Sequence, residues 1–322
     1  MSTKYRLTHP DYKVGWICAL QTEFIAAIAM LDEEHELLHR IGHDDNIYML
    51  GRIGKHNVVI SCLTAGRYGT TSATHVATQM RSSYPSVVFG LMVGVGGAAP
   101  SDENPIRLGD VVVSEPRGQH PGVVAFDWGK WKAGKLERTG SLNRPPQIIM
   151  GAVQMLKTRF AKQPNLLEKR LSDSRFPEDV DSYEPSYEYQ GQEHDRLYNA
   201  RYQHVEDGQG KDWPTCDNCM PSELQERPKR SRTHPKVFYG TIASSDKVMK
   251  DAAERDRLRD EHGVICFEME AAGLMIDFPC VVIRGICDYS DSHKNKRWQK
   301  YAAATAAAYG KELLLDIQPV AG

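Results

Sequence analysis

The chain has 322 residues, 41% of them hydrophobic, and a formal net charge of -2. That length serves one large or two small domains, and the apolar fraction supports a sizeable core. The near-zero charge gives no global field for nucleic acid or an anionic membrane, and the longest apolar run, residues 87–99, is too short and too rich in glycine to cross a bilayer.

No apolar run with a basic flank opens the chain, so no secretory signal is expected. Of the seven cysteines, Cys18, Cys62, Cys266, Cys280 and Cys287 sit in apolar, strand-like runs. Buried free thiols of a reducing compartment suit them better than disulfides, which makes a soluble, cytoplasmic protein the expectation.

Strand-like and helix-like segments alternate from Lys13 onwards. Residues 14–19 (VGWICA) form a short apolar run, and residues 22–38 follow at helical spacing. Residues 46–52 and 57–63 read as strands around Gly54-Lys55, a hairpin signal. Residues 70–81 read as a helix, and 87–93 as a buried strand ending in Gly94-Val95-Gly96-Gly97. Another strand covers 111–114, and a helix covers 146–160 with Ile148, Val153 and Leu156 facing the core.

The pattern then breaks. Residues 162–235 are polar and aperiodic and read as a long, partly ordered insertion within a single domain spanning 1–322. Its basic tail, ERPKRSR at 226–232, reads as a solvated loop rather than a nucleic-acid patch. Order resumes with strands at 237–243, 264–267 and 281–286, helices at 246–259 and from Met269, and an Ala-rich helix at 298–315. The alternation predicts a three-layer αβα sandwich around a twisted mixed, mostly parallel sheet.

Several charges interrupt apolar segments: Glu23 after the first strand, Glu268 and Glu270 in GVICFEMEAAGLM, and Arg284 and Asp288 in CVVIRGICDY. An unpaired charge in an apolar interior costs several kcal/mol, so these need partners or a task. Arg284 and Asp288 share one face if their strand persists. They lie at its C-terminal end, as Glu23 follows its own strand, and ligand crevices of open α/β sheets form there. A buried Glu–Arg pair that only fixes the core explains any one of them about as well. The glycine cluster at 94–97 allows close backbone approach to a ligand, though a tight turn also explains it, and its spacing is not that of a dinucleotide motif.

Six segments occur in order: Ala19-Leu20-Gln21-Thr22-Glu23, Val93-Gly94-Val95-Gly96-Gly97-Ala98, Leu108-Gly109-Asp110-Val111-Val112-Val113-Ser114, Gly240-Thr241-Ile242-Ala243-Ser244-Ser245-Asp246, Phe267-Glu268-Met269-Glu270-Ala271-Ala272 and Arg284-Gly285-Ile286-Cys287-Asp288. On these the chain resembles the purine and uridine phosphorylases, and especially the methylthioadenosine and S-adenosylhomocysteine nucleosidases. It is most similar to the fungal members, which often carry such an insertion and occur as domains of larger immune-receptor-like proteins.

The resemblance implies cleavage of the bond between a purine base and ribose. It makes Asp288 the general acid at N7 of the leaving base, Glu23 the base that activates water, and Arg284 its orienting partner. Glu270 would bind both ribose hydroxyls, with Met269 packing on the sugar and Glu268, Gly96, Val95 and Ser244 in the same matched segments. The transition state resembles an oxocarbenium ion, which nearby carboxylates stabilise. An acid at Asp288 calls for apolar walls around it.

Departures from the family favour water over phosphate. The strand position that carries a phosphate-binding arginine is Met92, the first loop offers Gln21 and Thr22, and Val95 stands where a hydroxyl residue is usual. Arg67 is the remaining cation that could hold phosphate. Val248 replaces the aromatic that stacks on the base, leaving Phe126 or Phe238 for that contact. A phosphorylase on the same fold and a silent ligand-binding domain stay open as alternatives.

The cations Lys294, Lys296 and Arg297 follow Asp288 closely, as a solvated loop or as ligands for the 5′ phosphates of a nucleotide such as ATP. Immune-effector relatives of this fold cleave ATP. No cofactor is implied. Cys216-x-x-Cys219, with His204 and His234 nearby, is a weak zinc signal and no metal is assigned. The expected partner is a small purine nucleoside or nucleotide, with no nucleic acid or membrane, in a homo-oligomer implied by the resemblance.

Overall fold

The computed structural model describes residues 7–132, 135–177, 185–206 and 215–319. The first half of the chain contains β1 (Val14–Cys18), α1 (Gln21–Ile28), β2 (Glu33–Glu34), β3 (Tyr48–Ile53), β4 (His56–Cys62), α2 (Thr70–Ser83), β5 (Phe89–Ala98), β6 (Val111–Ser114), β7 (Val123–Ala125), β8 (Gly129–Lys132) and β9 (Lys135–Arg138). The second half contains α3 (Gln147–Lys162), α4 (Leu166–Asp173), β10 (Val237–Ser244), α5 (Ala252–His262), β11 (Val264–Glu268), α6 (Ala271–Leu274), β12 (Cys280–Asp288) and α7 (Gln299–Leu315).

The predominantly apolar strands β1 and β12 are buried along their whole length, Arg284 and Asp288 of β12 included. Sheets covered on both faces select such runs. The main sheet runs β11-β10-β6-β12-β5-β1-β4-β3-β2, with β7 on β10. It is mixed: β1 pairs parallel with β4 and β5, as β5 does with β12 and β10 with β6, β7 and β11. The β2–β3, β3–β4, β6–β12 and β5–β11 pairs are antiparallel.

The β5–β11 pairing closes β5-β12-β6-β10-β11 into a ring, so this part of the sheet is a barrel and not the open layer expected. Helices still cover both faces. Ala73, Met80 and Leu274 from α2 and α6 pack on Ile17, Met92 and Val282. Ala26, Leu156, Leu167 and Leu313 from α1, α3, α4 and α7 pack on Trp16, Leu91 and Ile283.

Tertiary contacts revise several local expectations. The helix expected over 22–38 stops at Ile28, because Glu33 and Glu34 are drawn into a pairing with Arg52 and Gly51 of β3. The glycine run at 94–97 is no turn: it lies inside β5. The helix expected from Asp246 starts at Ala252, capped by Asp251, whose side chain accepts from the amides of Ala253 and Glu254. Asp246 instead accepts from the amide of Thr70 at 2.7 Å, at the N-terminus of α2. On α3 the core is met by Ile149, Ala152, Val153 and Leu156, while Ile148 is exposed.

The insertion contains helix α4 and several tight turns; its residues 178–184 and 207–214 lie outside the described residues. Its basic tail is not the solvated loop expected. Arg230 meets both oxygens of the buried Asp110 at 2.6 Å, and Arg227 pairs with Asp195 at 3.2 Å and donates to the Tyr289 hydroxyl. Among the described residues no helix is long and apolar enough to cross a membrane.

Candidate active site

The ends of β1, β5, β11 and β12 meet around a pocket of about 130 Å³. Ala19, Leu20 and Glu23 line it from the first strand and helix. Val95, Gly96 and Gly97 come from β5; Phe267, Glu268, Met269 and Glu270 from β11 and its turn; Cys287, Ser290 and Lys294 from β12 and its loop.

Glu23 occupies the third position of α1, where a glutamate reaches back to the free amides of the helix start. One carboxylate oxygen accepts from Ala19 (2.7 Å) and Leu20 (3.0 Å), and the other from Val95 of β5 (2.8 Å). Burial pushes its pKa up, against the pull of Arg284 and these three amides. The result is a fixed, buried carboxyl of raised basicity.

Arg284 is fully buried on β12. Its Nη2 pairs closely with Glu268 and meets Glu270 at 3.4 Å. Glu268 also accepts from the amides of Glu270 and Ala271, so it caps α6 and holds the guanidinium. Glu270 is held more loosely, and burial pushes its carboxyl up to about 7, with Arg284 pulling down and Glu268 pushing up. Arg284 therefore binds the β11 carboxylates rather than bonding Glu23 as its expected partner. Its Nε and Nη1 are buried with no hydrogen-bond partner among the described residues. A Cβ built on Gly94 would strike Nη1 and the Glu23 carboxylate together, which explains why only glycine fits there.

Asp288 ends β12. The register against β5 slips between Ile286 and Asp288, so the simple alternation from Arg284 does not carry through Cys287. One Asp288 oxygen accepts from the Ser290 amide at 2.9 Å, and the other meets Lys294 Nζ at 3.0 Å and the Cys287 thiol at 3.2 Å. Its surroundings are thus not the apolar walls expected. Burial by itself would lower the Lys294 pKa, but Asp288 beside it holds the ammonium above its usual value. Lys294 is bonded to Asp288 and lines the pocket with Glu23, whereas Arg297 lines a second cleft with His194, Asp291 and Asp288 itself; the expected cation cluster is split between the two.

Of the other candidates, Val95, Gly96, Met269 and Val248 line the pocket. Phe126 reaches it only through Phe267, edge-on at 6.0 Å. Phe238 packs into the core. The Ser244 hydroxyl accepts from the Ala272 amide and is fully buried, so it positions the β11 turn. Arg67 is exposed and absent from the lining, where its neighbour Tyr68 stands. Sequence reasoning missed Tyr68, Lys247, Met249 and Gln299 in that lining; Lys247, directly after the matched segment ending in Asp246, carried the one usable signal. Cys216, Cys219 and His204 come together away from this pocket, whereas His234 lines another cleft with Glu168 and Tyr187.

No family model matches the chain. The chain is 45% identical over 316 residues to a nucleotide-binding leucine-rich repeat (NLR)-like protein of Hyaloscypha variabilis; the match covers 98% of the chain and only 30% of that protein. It is 35% identical over 77 residues, 22% of the chain and 15% of the relative, to the ATP nucleosidase Cap17 of Escherichia coli. It superposes on the crystal structure of the 5′-methylthioadenosine/S-adenosylhomocysteine nucleosidase of Helicobacter pylori with a TM-score of 0.57 and 15% identity, covering 94% of this chain and 98% of that one. The chain thus has the fold of that nucleosidase and is similar in sequence, over part of its length, to an ATP nucleosidase. It spans less than a third of the length of the NLR-like relative.

Proposed function

We propose that the chain hydrolyses the N-glycosidic bond of a purine nucleoside or nucleotide, releasing the free base and ribose or a ribose phosphate. The observation that carries this is the placement of Glu23, Glu270 and Lys294 around one pocket, with Arg284, whose Nε and Nη1 are unpaired among the described residues, bonded to Glu270, and with Asp288 bonded to Lys294. Buried donors seek partners. A water held between Arg284 Nη1 and Glu23 would be oriented by the guanidinium and deprotonated by the carboxylate. Glu270 would accept from the ribose hydroxyls and offset the developing oxocarbenium charge. Asp288 would deliver the proton to N7, and Lys294 would stabilise the carboxylate left behind.

Water rather than phosphate is supported by the lack of a cation at Met92, which is fully buried in the core. A 5′-phosphorylated substrate is supported by Lys247 at the pocket edge and by the match to an ATP nucleosidase. The test is base release from adenosine, inosine, guanosine and ATP, with and without phosphate, followed by chromatography. Free ribose or ribose phosphate without added phosphate is expected. Accumulation of ribose 1-phosphate only when phosphate is added refutes the hydrolytic reading, and no base release from any of them refutes the enzyme.

A further inference from the structure

The insertion carries a cluster that the proposed reaction does not use. Cys216 and Cys219 are each 5% exposed, and both sulfurs face one imidazole nitrogen. His204 Nδ1 lies 3.3 Å from the Cys219 sulfur and 3.6 Å from that of Cys216, and the three ligand atoms lie within 4.8 Å of one another. In a tetrahedral zinc site, sulfur at about 2.3 Å and nitrogen at about 2.0 Å from the metal lie roughly 3.5–3.8 Å apart. The cluster is already near that spacing. Two thiols and an imidazole form a soft donor set that selects zinc over magnesium or calcium.

The surroundings give such a site a purpose. Among the described residues, the hydrophobic cluster around the two cysteines consists of Tyr198 with the partly buried Tyr202 and Leu224. So small a cluster needs a staple to hold a fixed shape. The same residues clasp the loop after Asp288. The His204 amide donates to the Ser292 hydroxyl at 3.0 Å, the Cys216 thiol faces the His293 carbonyl at 3.7 Å, and the His293 ring stacks on Tyr198 with centroids 4.0 Å apart. That loop carries Lys294.

We propose that Cys216, Cys219 and His204 bind a zinc ion that fastens the insertion to the 289–294 loop. On binding, the two thiols lose their protons to solvent and the imidazole binds as the neutral base. The fourth vertex of the tetrahedron is left for water or another donor. The site is independent of the reaction proposed above.

The test begins with the full chain purified without added metal or chelator. Elemental analysis is expected to find about one zinc per chain. After zinc is removed under reducing conditions, cobalt titration is expected to give the near-ultraviolet charge-transfer absorption of thiolate ligands. Cys216→Ser and Cys219→Ser should each lower zinc occupancy at least tenfold, and His204→Ala should weaken cobalt binding. In wild type, zinc removal should raise hydrogen exchange of the 289–294 amides. The proposal is overturned if reduced, metal-free wild type gives no thiolate–cobalt absorption, if the double serine variant retains wild-type zinc, or if the purified protein holds a Cys216–Cys219 disulfide and no metal. Since the wild-type cobalt titration involves no substitution, a variant that fails to fold leaves the test intact.

Discussion

Lys294 Nζ lies 3.0 Å from the Asp288 carboxylate, six residues along the chain; Lys294 lines the pocket with Glu23 and Glu270, and Asp288 lines the second cleft. That contact places the cation beside the proposed acid rather than beside a distant phosphate. Lys294→Met is expected to lower kcat/KM for adenosine and for ATP by a similar factor, about ten- to a hundredfold, the worth of a charge-assisted contact. Asp288→Asn should cost about a hundred- to ten-thousandfold for both. Steady-state kinetics on the two substrates decide the matter: loss confined to ATP would return Lys294 to a phosphate-binding role.

Glu270 predicts the acid limb of the pH profile. Burial pushes this carboxyl up to about 7, and only its ionised form accepts from both ribose hydroxyls. Activity should therefore fall as pH drops through about 7. Glu268→Gln removes a negative neighbour and releases Arg284 towards Glu270. Both changes favour the ionised carboxylate, so the limb should move to lower pH. A kcat/KM profile for adenosine that stays in place or moves upward contradicts this placement.

Gly97 is a positional test of β5. A Cβ there would sit 2.5 Å from an Asp288 oxygen and closer still to the Ser290 hydroxyl. Gly97→Ala should displace the Asp288 carboxylate and lower kcat by more than tenfold, an expected outcome for a small misplacement of a reacting group. Gly151→Ala on α3 is the control: nothing lies within 4 Å of the added methyl, and the helix should gain up to about 1 kcal/mol. Equal activity losses in the two variants would show that the effect at Gly97 is not local.

Arg230 reports on the insertion. It covers both oxygens of Asp110, whose side chain is 1% exposed. Arg230→Ala leaves a buried carboxylate short of its cation, a loss of about 3–5 kcal/mol for a buried pair. Chemical denaturation should show that drop, with Lys229→Ala as the solvated comparison. A loss below about 1 kcal/mol, the surface-pair range, would mean that the tail is not docked in solution.

The sequence by itself determined the long buried strands and the identity of the charged residues, but not the short strands β2, β7, β8 and β9. Apolar runs such as VGWIC and CVVIRGICD mark strands because both faces of each are buried, and charges inside such runs stand out because an unpaired one is costly. Tertiary structure decided what local pattern does not encode. Residues 22–38 have helical spacing, but pairing with β3 ends the helix at Ile28. Asp246 looks like the start of the next helix, yet it caps α2, 176 residues earlier in the chain.

The same distinction holds at the site. Glu23, Glu270, Arg284 and Asp288 were legible as misplaced charges, but their partners were not. Arg284 joins the β11 carboxylates because the barrel closure brings β11 against β5. Lys294 joins Asp288 because the loop after β12 turns back on itself. The basic tail of the insertion looked solvated because the acids it covers, Asp110 and Asp195, lie far away in sequence. Pairing of charges is a through-space property, and only the folded chain sets those distances.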